Sequence, residues 1–263
     1  MVVVGEINSG ITGPDPFGAL GQDIEVARVM AAAREEIDSV LWRRDVRTNA
    51  AAVARASIER GGRDSAAIDG ADTAVVDDSP MGRALARAID VTAAVPGQVG
   101  AWSKAPLQVI AALHGIAANG FASGDQLGRP RALEIADDPL GIGSLPPAAQ
   151  VAPRLALLAG LVIAPTTAPA ILVAGIVHAE LLTLRPFTWG SGLVARAAAR
   201  CVLAERAVDP SLFTIPENGM FTLGRPAYVE AVRAYASGTR AGSSAYLVWF
   251  ATACALGAKA VTV

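Results

Sequence analysis

The sequence is poor in charge, in aromatic residues and in the side chains that most often bind metals. Charged residues make up 17% of the 263 residues, aromatic residues make up 5%, and there are two histidines and two cysteines. The 22 basic and 24 acidic residues nearly cancel, so no overall charge attracts nucleic acid or an anionic membrane. We therefore expect neither as a partner. Hydrophobic residues reach 52%, which excludes a disordered chain.

The scarce residue types also indicate where the protein resides. Cys201 and Cys254 lie in Ala-rich segments with helical patterning, which predicts two buried thiols in a reducing compartment. The opening residues, MVVVGEINSG, show no basic region before an apolar stretch, so no secretory signal is predicted. Of the 22 basic residues only Lys104 and Lys259 are lysine, and this Arg bias together with the Ala richness indicates GC-rich coding. We expect a bacterial, cytoplasmic protein.

Helical periodicity dominates the chain. Apolar residues recur at i, i+3, i+4 and i+7, and turn-forming dipeptides separate the periodic segments. The predicted helices cover residues 23–60, 80–94, 97–118, 147–163, 168–184, 191–206, 225–236 and 239–259. Residues 155–177 carry no charge and are long enough to span a bilayer. Pro165 and Pro169 interrupt that stretch, so we predict two buried helices instead.

One region, residues 124–146, has little helical signal. Its short run 132–135 lies between turn signals and predicts one arm of a small β-hairpin. No internal repeat divides the chain. We therefore predict an all-α fold with a small β-hairpin flap at residues 124–146. Residues 1–75 form an N-terminal helical segment and residues 76–263 form the core domain, the two packed as one compact unit.

The chemistry is concentrated between two predicted helices, in residues 178–200. A loop ending in Gly190-Ser191-Gly192 leads into the second helix. Two glycines around a serine at a helix start allow consecutive backbone N–H groups to point at one spot, and the helix dipole favours an anion there. Gly190, Ser191, Gly192 and the nearby Arg196 are therefore candidate phosphate-binding or nucleotide-binding residues. A tight interhelical turn with surface arginines accounts for the same residues equally well.

A second pattern overlaps this loop. Residues 190–195, GSGLVA, satisfy the G-x-G-x-x-A fingerprint of nicotinamide-dependent oxidoreductases. That fingerprint requires a preceding strand within a βαβ unit, whereas the preceding residues have a helical pattern. The oxidoreductase hypothesis is therefore a distant alternative, and it predicts a parallel sheet.

Residues 185–196 read RPFTWGSGLVAR, and this run resembles the Fic family signature H-P-F-x-[D/E]-G-N-G-R-x-x-R. Residues 113–114 and 128–131 resemble the Leu-His helix and the G-x-x-R turn of the family. Residues 65–70, SAAIDG, are similar to the S-x-x-x-E-G inhibitory motif of an N-terminal helix. The family's tyrosine-rich helix and its Trp-Phe core pair are matched by Tyr228, Tyr235, Trp249 and Phe250. The resemblance implies a Fic-like helical bundle.

Fic proteins typically transfer AMP from ATP to a hydroxyl side chain. The reaction requires a histidine as general base, a carboxylate for Mg²⁺, and a phosphate cradle completed by arginine. In this chain Arg185 occupies the general-base position, and an arginine cannot lose its proton in a protein. Trp189 replaces the metal carboxylate, Ser191 replaces the asparagine and Leu193 replaces the first arginine. The resemblance therefore implies no confident catalytic residue and no metal site.

The resulting hypothesis is a degenerate Fic-domain protein that lacks AMP-transferase activity and acts by binding a protein or a nucleotide. ATP or another nucleotide would then bind without a carboxylate-held metal, and a homodimer is one form of protein partner. The alternative is an active nucleotidyl or phosphoryl transferase with a non-standard motif and Arg185 as an electrostatic clamp. The inhibitory contact is assigned to Ser65, Asp69 and Gly70. We predict that Asp69 pairs with Arg196 and covers the anion pocket.

The remaining chemistry-bearing residues have less specific patterns. His178 lies about two helical turns before Arg185, which is poorly placed for a general base. We expect it to be packed in the core, and the same holds for His114 on an apolar helix face. Asp137 and Asp138, in the flap, are expected in a solvated turn.

Overall fold

The computed structural model describes Asp15 and residues 17–263, and those residues are mainly helical. The helices are α1 (Gly18–Gly21), α2 (Ile24–Trp42), α3 (Arg44–Thr48), α4 (Ala50–Ile68), α5 (Pro80–Trp102), α6 (Pro106–Ala117), α7 (Val151–Ile163), α8 (Ala170–Leu184), α9 (Ser191–Glu205), α10 (Pro216–Leu223), α11 (Arg225–Ala236) and α12 (Arg240–Lys259). The all-α prediction is confirmed. The start of the chain, on which the absence of a secretory signal was argued, lies outside the described residues.

Local capping explains several helix starts. The Asp23 carboxylate accepts hydrogen bonds from the N–H groups of Glu25 and Val26 at the start of α2. The Ser79 hydroxyl accepts from the Gly82 N–H at the start of α5. The predicted single helix over residues 23–60 is divided into α2, α3 and the first part of α4, because the backbone is extended at Arg43.

The α5 helix is longer than predicted. It runs through Pro96, where the sequence predicts a break, and ends at Trp102. A proline inside a helix removes one backbone hydrogen bond and costs about 3 kcal/mol. Val91, Val95 and Trp102 are fully buried along this helix, and their packing offsets that cost.

The core is built around α8 and α9, which pack against each other. Every residue of α8 from Ile171 onward is buried, and so is every residue of α9 before Glu205. Around this pair, α9 contacts α5 and α6, whereas α8 contacts α11 and α12. The loop between α8 and α9 is therefore fixed at both ends by fully packed helices.

The hairpin prediction for residues 124–146 is wrong, because this segment contains no strand within the part of the chain that the structure describes. Its internal backbone hydrogen bonds close turns, and two of its N–H groups bind the loop between α8 and α9. The Arg131 N–H donates to the Pro186 carbonyl, and the Asp137 N–H donates to the Thr188 carbonyl. Prolines at 130, 139 and 146 lack the N–H that a ladder needs.

The uncharged stretch 155–177 is divided between α7 and α8, as predicted. Among the described residues, α12 alone is long and apolar enough to cross a membrane, judged by length and composition. In that helix 56% of the apolar window is buried within the protein, which is also typical of a core helix. The boundary predicted near residue 75 falls in the connection between α4 and α5, and the division into two parts stays a prediction.

Candidate functional site

The loop between α8 and α9 begins and ends with left-handed backbone. Arg185 closes α8 with φ 44°, and Gly190 precedes α9 with φ 77°. Glycine adopts this conformation readily, whereas arginine does so at a cost of about 1–3 kcal/mol. Ser191 stabilises the loop, because its hydroxyl accepts a hydrogen bond from the Phe187 N–H at 3.2 Å. We call the backbone at residues 190–192 the cradle.

No strand precedes this loop in the described chain, so residues 190–195 do not belong to a βαβ unit. The chain enters the loop from α8, a fully buried helix, and leaves it in α9. A dinucleotide fingerprint needs the carboxyl end of a parallel strand to position the pyrophosphate. The interpretation of residues 190–195 as a dinucleotide fingerprint, on which the oxidoreductase alternative depended, is therefore wrong, and so is the parallel sheet it predicted, for the part of the chain that the structure describes.

Arg196, one turn into α9, forms an ion pair with Asp69 at the end of α4. The Arg196 Nη2 atom is 2.5 Å from Asp69 Oδ2, and its Nε atom donates to the Ser65 hydroxyl at 2.6 Å. The arginine is 1% exposed. Burial opposes its charge, but Asp69 and Tyr228 outweigh that effect and raise the pKa of Arg196. The predicted pairing of Asp69 with Arg196 is present in the structure.

The Asp69 carboxylate lies directly over the cradle. A Cβ atom built on Gly192 would be 2.9 Å from Asp69 Oδ2, so only glycine accommodates this approach without a shift. Asp69 Oδ1 is buried and has no hydrogen-bond partner among the described residues. Gly70 follows with φ 92° and turns the chain away from α4. Ser65, Asp69 and Gly70 thus lie at one end of α4, and their inhibitory role stays a prediction.

The other end of the cradle is occupied by Asp137. Its Oδ2 atom accepts a hydrogen bond from the Gly190 N–H at 3.1 Å, at the positive end of the α9 dipole. Burial raises the pKa of Asp137 to about 6; the Gly190 N–H opposes this, and the neighbouring Asp69 reinforces it. The expectation of a solvated turn is therefore wrong for this residue.

The Arg185 side chain is held by contacts within the protein and is not available to a substrate. Its guanidinium pairs with Asp138 at 2.7 Å and donates to the carbonyls of Gly143 at 2.8 Å and Ser144 at 2.7 Å. The residue is 4% exposed. Because an arginine does not deprotonate, Arg185 is a fixed cation here and cannot act as a general base.

A cavity of about 10 Å³ remains between these groups, lined by Asp69, Asp137, Asp138, Arg185 and Gly192 among others. That volume is about the minimum for one water molecule. Beside it lies a more open cleft of about 230 Å³. Phe121 and Trp189 line this cleft and stack on each other with ring centroids 4.0 Å apart. Within the described residues, no three His, Cys, Asp or Glu side chains are placed to hold a metal ion.

Both histidines are packed, as predicted. His178 is completely buried and lies between the hydroxyls of Tyr228 and Tyr246, and burial holds its pKa well below its usual value. His114 accepts a hydrogen bond from the Gly128 N–H and stacks on Phe187. Burial lowers the pKa of His114 to about 4. Both rings are fully buried and are not exposed to a substrate.

Arg200, one turn beyond Arg196, forms a second buried ion pair. Its guanidinium contacts both carboxylate oxygens of Glu217 at 2.7–2.9 Å and the Ser57 hydroxyl at 3.2 Å. Glu217 belongs to α10, a helix that the periodicity does not predict. The charge of Arg200 is therefore neutralised within the core, and it is not available to a ligand.

Comparisons with known proteins identify the fold. No family model matches the sequence, and no curated protein matches it. Among solved structures, the chain is similar to the crystal structure of a Fic family protein from Desulfovibrio desulfuricans G20. The TM-score is 0.71 at 15% identity, and the similarity covers 90% of this chain and 73% of that one. The chain therefore has the Fic fold, as the resemblance of its sequence predicts.

Proposed function

We propose that this protein is a Fic-fold protein that does not transfer AMP and that acts by binding. AMP transfer needs a base to take the hydroxyl proton and a carboxylate to hold Mg²⁺ on the phosphates. The base position is Arg185, paired with Asp138, and the carboxylate position is Trp189, stacked on Phe121. The loss of a general base alone costs about 10²–10⁴ in rate.

The observation that carries the proposal is that the protein's own carboxylates fill the cradle. Asp137 accepts from the Gly190 N–H, and Asp69 covers Gly192. A phosphate needs the donors that these groups occupy, and the enclosed space of about 10 Å³ between them does not admit it. The adjoining cleft of about 230 Å³ also reaches Gly190, but there the same two carboxylates, Asp69 and Asp137, form part of its wall. Each carboxylate also repels a phosphate charge, by about 4 kcal/mol at 4 Å and an effective dielectric constant of about 20.

A protein partner fits this closed state better than a nucleotide. The flap exposes two large apolar side chains, Leu133 at 59% and Ile135 at 61%. Exposed apolar side chains of this size supply contact area at protein interfaces. A second copy of the chain is one such partner. We therefore place binding at the surface around the flap, with the cradle closed behind it.

The test is calorimetric titration of ATP and of ADP, with and without Mg²⁺, into the wild-type protein and into Asp69→Ala. A matched control is Asp90→Ala, which removes an exposed carboxylate paired with Arg87. We expect no saturable heat with the wild type or the control, and no AMP transfer to protein from labelled ATP. Mg²⁺-dependent binding accompanied by AMP transfer would refute the proposal and would restore the alternative of an active transferase.

A further inference from the structure

Residues 137–144, which we call the strap, form a tight turn folded around one carboxylate. Asp138 Oδ1 accepts from the Ile142 N–H at 2.9 Å, and Oδ2 accepts from the Gly143 N–H at 3.0 Å. Gly141 and Gly143 have φ values of 67° and 121°, which favour glycine. Two backbone N–H groups of the strap thus bind the Asp138 carboxylate and close the turn around it.

The Arg185 side chain enters this turn from the neighbouring loop. One guanidinium nitrogen pairs with Asp138, and another donates to the Gly143 and Ser144 carbonyls. Three charge-assisted contacts therefore join the start of the α8–α9 loop to both ends of the strap. Arg185 keeps an unfavourable left-handed backbone, which persists because its side chain is fixed in this way.

Arginines from other parts of the chain donate hydrogen bonds to backbone carbonyls within the strap and next to it. Arg131 donates to the Pro146 carbonyl just beyond the strap, and its side chain is completely buried. On α11, Arg225 donates to the Pro139 carbonyl, and Arg233 donates to the carbonyls of Gly141 and Ile142. The strap is therefore held from the α8–α9 loop on one side and from α11 on the other.

The position of the strap determines what occupies the cradle. Asp137 is its first residue, and its N–H is fixed on the Thr188 carbonyl while its carboxylate accepts from the Gly190 N–H. Asp137 and Asp138 are adjacent in the chain, so a movement of the strap that separates Asp138 from Arg185 also moves the backbone that presents Asp137 to the Gly190 N–H. A carboxylate at this helix start occupies the place that a phosphate oxygen would take.

We propose that the strap is a releasable closure of the cradle and that the ion pair between Arg185 and Asp138 holds it shut. Release withdraws Asp137 and frees the Gly190 N–H for an anion that carries phosphate oxygens. This inference rests on the proposed function, since an active transferase keeps its cradle open. In this proposal, Arg185 holds the strap closed, at the position where the Fic signature has its general base.

The experiment combines hydrogen exchange of the full chain, read by mass spectrometry, with calorimetric titration of inorganic pyrophosphate. The variant is Arg185→Gln, and the control is Arg87→Gln, which removes a surface ion pair with Asp90. In Arg185→Gln we expect the amides of residues 137–144 to exchange about ten- to a hundredfold faster, as for the loss of a hydrogen bond to a charged group. We expect pyrophosphate affinity to rise about tenfold or more, and the control to match the wild type.

Two results would overturn this inference. The first is strap exchange in Arg185→Gln that equals the wild-type rate, because the arginine then holds nothing shut. The second is faster exchange without any gain in pyrophosphate binding, because the strap then guards no site. If Arg185→Gln does not fold, Asp138→Asn removes the same ion pair from its more exposed side. AMP transfer by the wild type would instead refute the proposed function, so the two failures are distinguishable.

Discussion

The ion pair between Asp69 and Arg196 is the contact whose loss has the most specific consequences. Arg196 is 1% exposed, and Asp69 supplies the single carboxylate paired with it, with 14% of that side chain exposed. Replacement by Asp69→Asn leaves a buried guanidinium without a counter-charge. Breaking a buried pair in this way costs about 3–5 kcal/mol. Because water reaches the edge of Asp69 and Ser65 still accepts from Arg196, we expect about 3 kcal/mol.

The assay is equilibrium urea unfolding of the wild type, Asp69→Asn, Arg196→Met and the double variant at neutral pH. A loss of about 3 kcal/mol corresponds to a fall in Tm of roughly 6–12 °C for a chain of this size. The double variant removes both charges, so its loss should be smaller than the sum of the single losses by about 1–3 kcal/mol. The exposed pair formed by Arg34 and Asp38 is the matched control, and Asp38→Asn should change stability by less than about 1 kcal/mol.

Two results would refute this reasoning. A cost below about 1 kcal/mol for Asp69→Asn would show that Arg196 is solvated or paired in another way. Additive losses in the double-mutant cycle would show that the two side chains do not interact in solution. Salt is a further check, because 1 M NaCl screens exposed pairs strongly and a buried pair much less.

Three other changes test neighbouring features. Burial raises the pKa of Asp137 to about 6, so the folded protein binds that proton more tightly than the unfolded chain, and the charged carboxylate opposes folding at neutral pH. Asp137→Asn should therefore be about 2 kcal/mol more stable than wild type at pH 7.5, and this gain should shrink as the pH falls below 6 and vanish below the unfolded pKa of about 3.9. A pH-independent difference would contradict this. Gly192→Ala should displace Asp69 and cost about 1–3 kcal/mol by thermal unfolding, with an unchanged Tm as the contrary result. Gly219→Ala places a Cβ against the Ala253 carbonyl, so we expect poor yield or a Tm lower by 5 °C or more.

The elements with strong patterns could be predicted from the sequence. The α8 and α9 helices follow from apolar residues, and the loop between them follows from proline and two glycines. The pairing of Asp69 with Arg196, which are far apart in the chain, was predicted from the family resemblance because each lies in a recognisable motif. Spacing alone does not predict such a pair.

The contacts that the sequence did not predict lie in segments without periodicity. The Asp137 carboxylate reaches the cradle from a loop in which it has no helical or strand neighbours to fix its register. Glu217 belongs to the eight-residue α10, which is too short for a periodic signal. The hairpin prediction failed because alternation in a short run does not indicate which partner its backbone will bind.

A chain of hydrogen-bonded polar groups behind the cradle links Arg196 to His178 through the Tyr228 hydroxyl. A guanidinium only donates, so the Tyr228 hydroxyl accepts from Arg196, and its own hydrogen is then free to be donated to His178 Nε2. Burial lowers the pKa of His178, and when Nε2 accepts from Tyr228 the neutral ring carries its proton on Nδ1, facing Tyr246. In that arrangement the tautomer of a core histidine depends on the charge of Arg196 beside the cradle. The ¹⁵N resonances of His178 would report from within the core whether Arg196 remains in place.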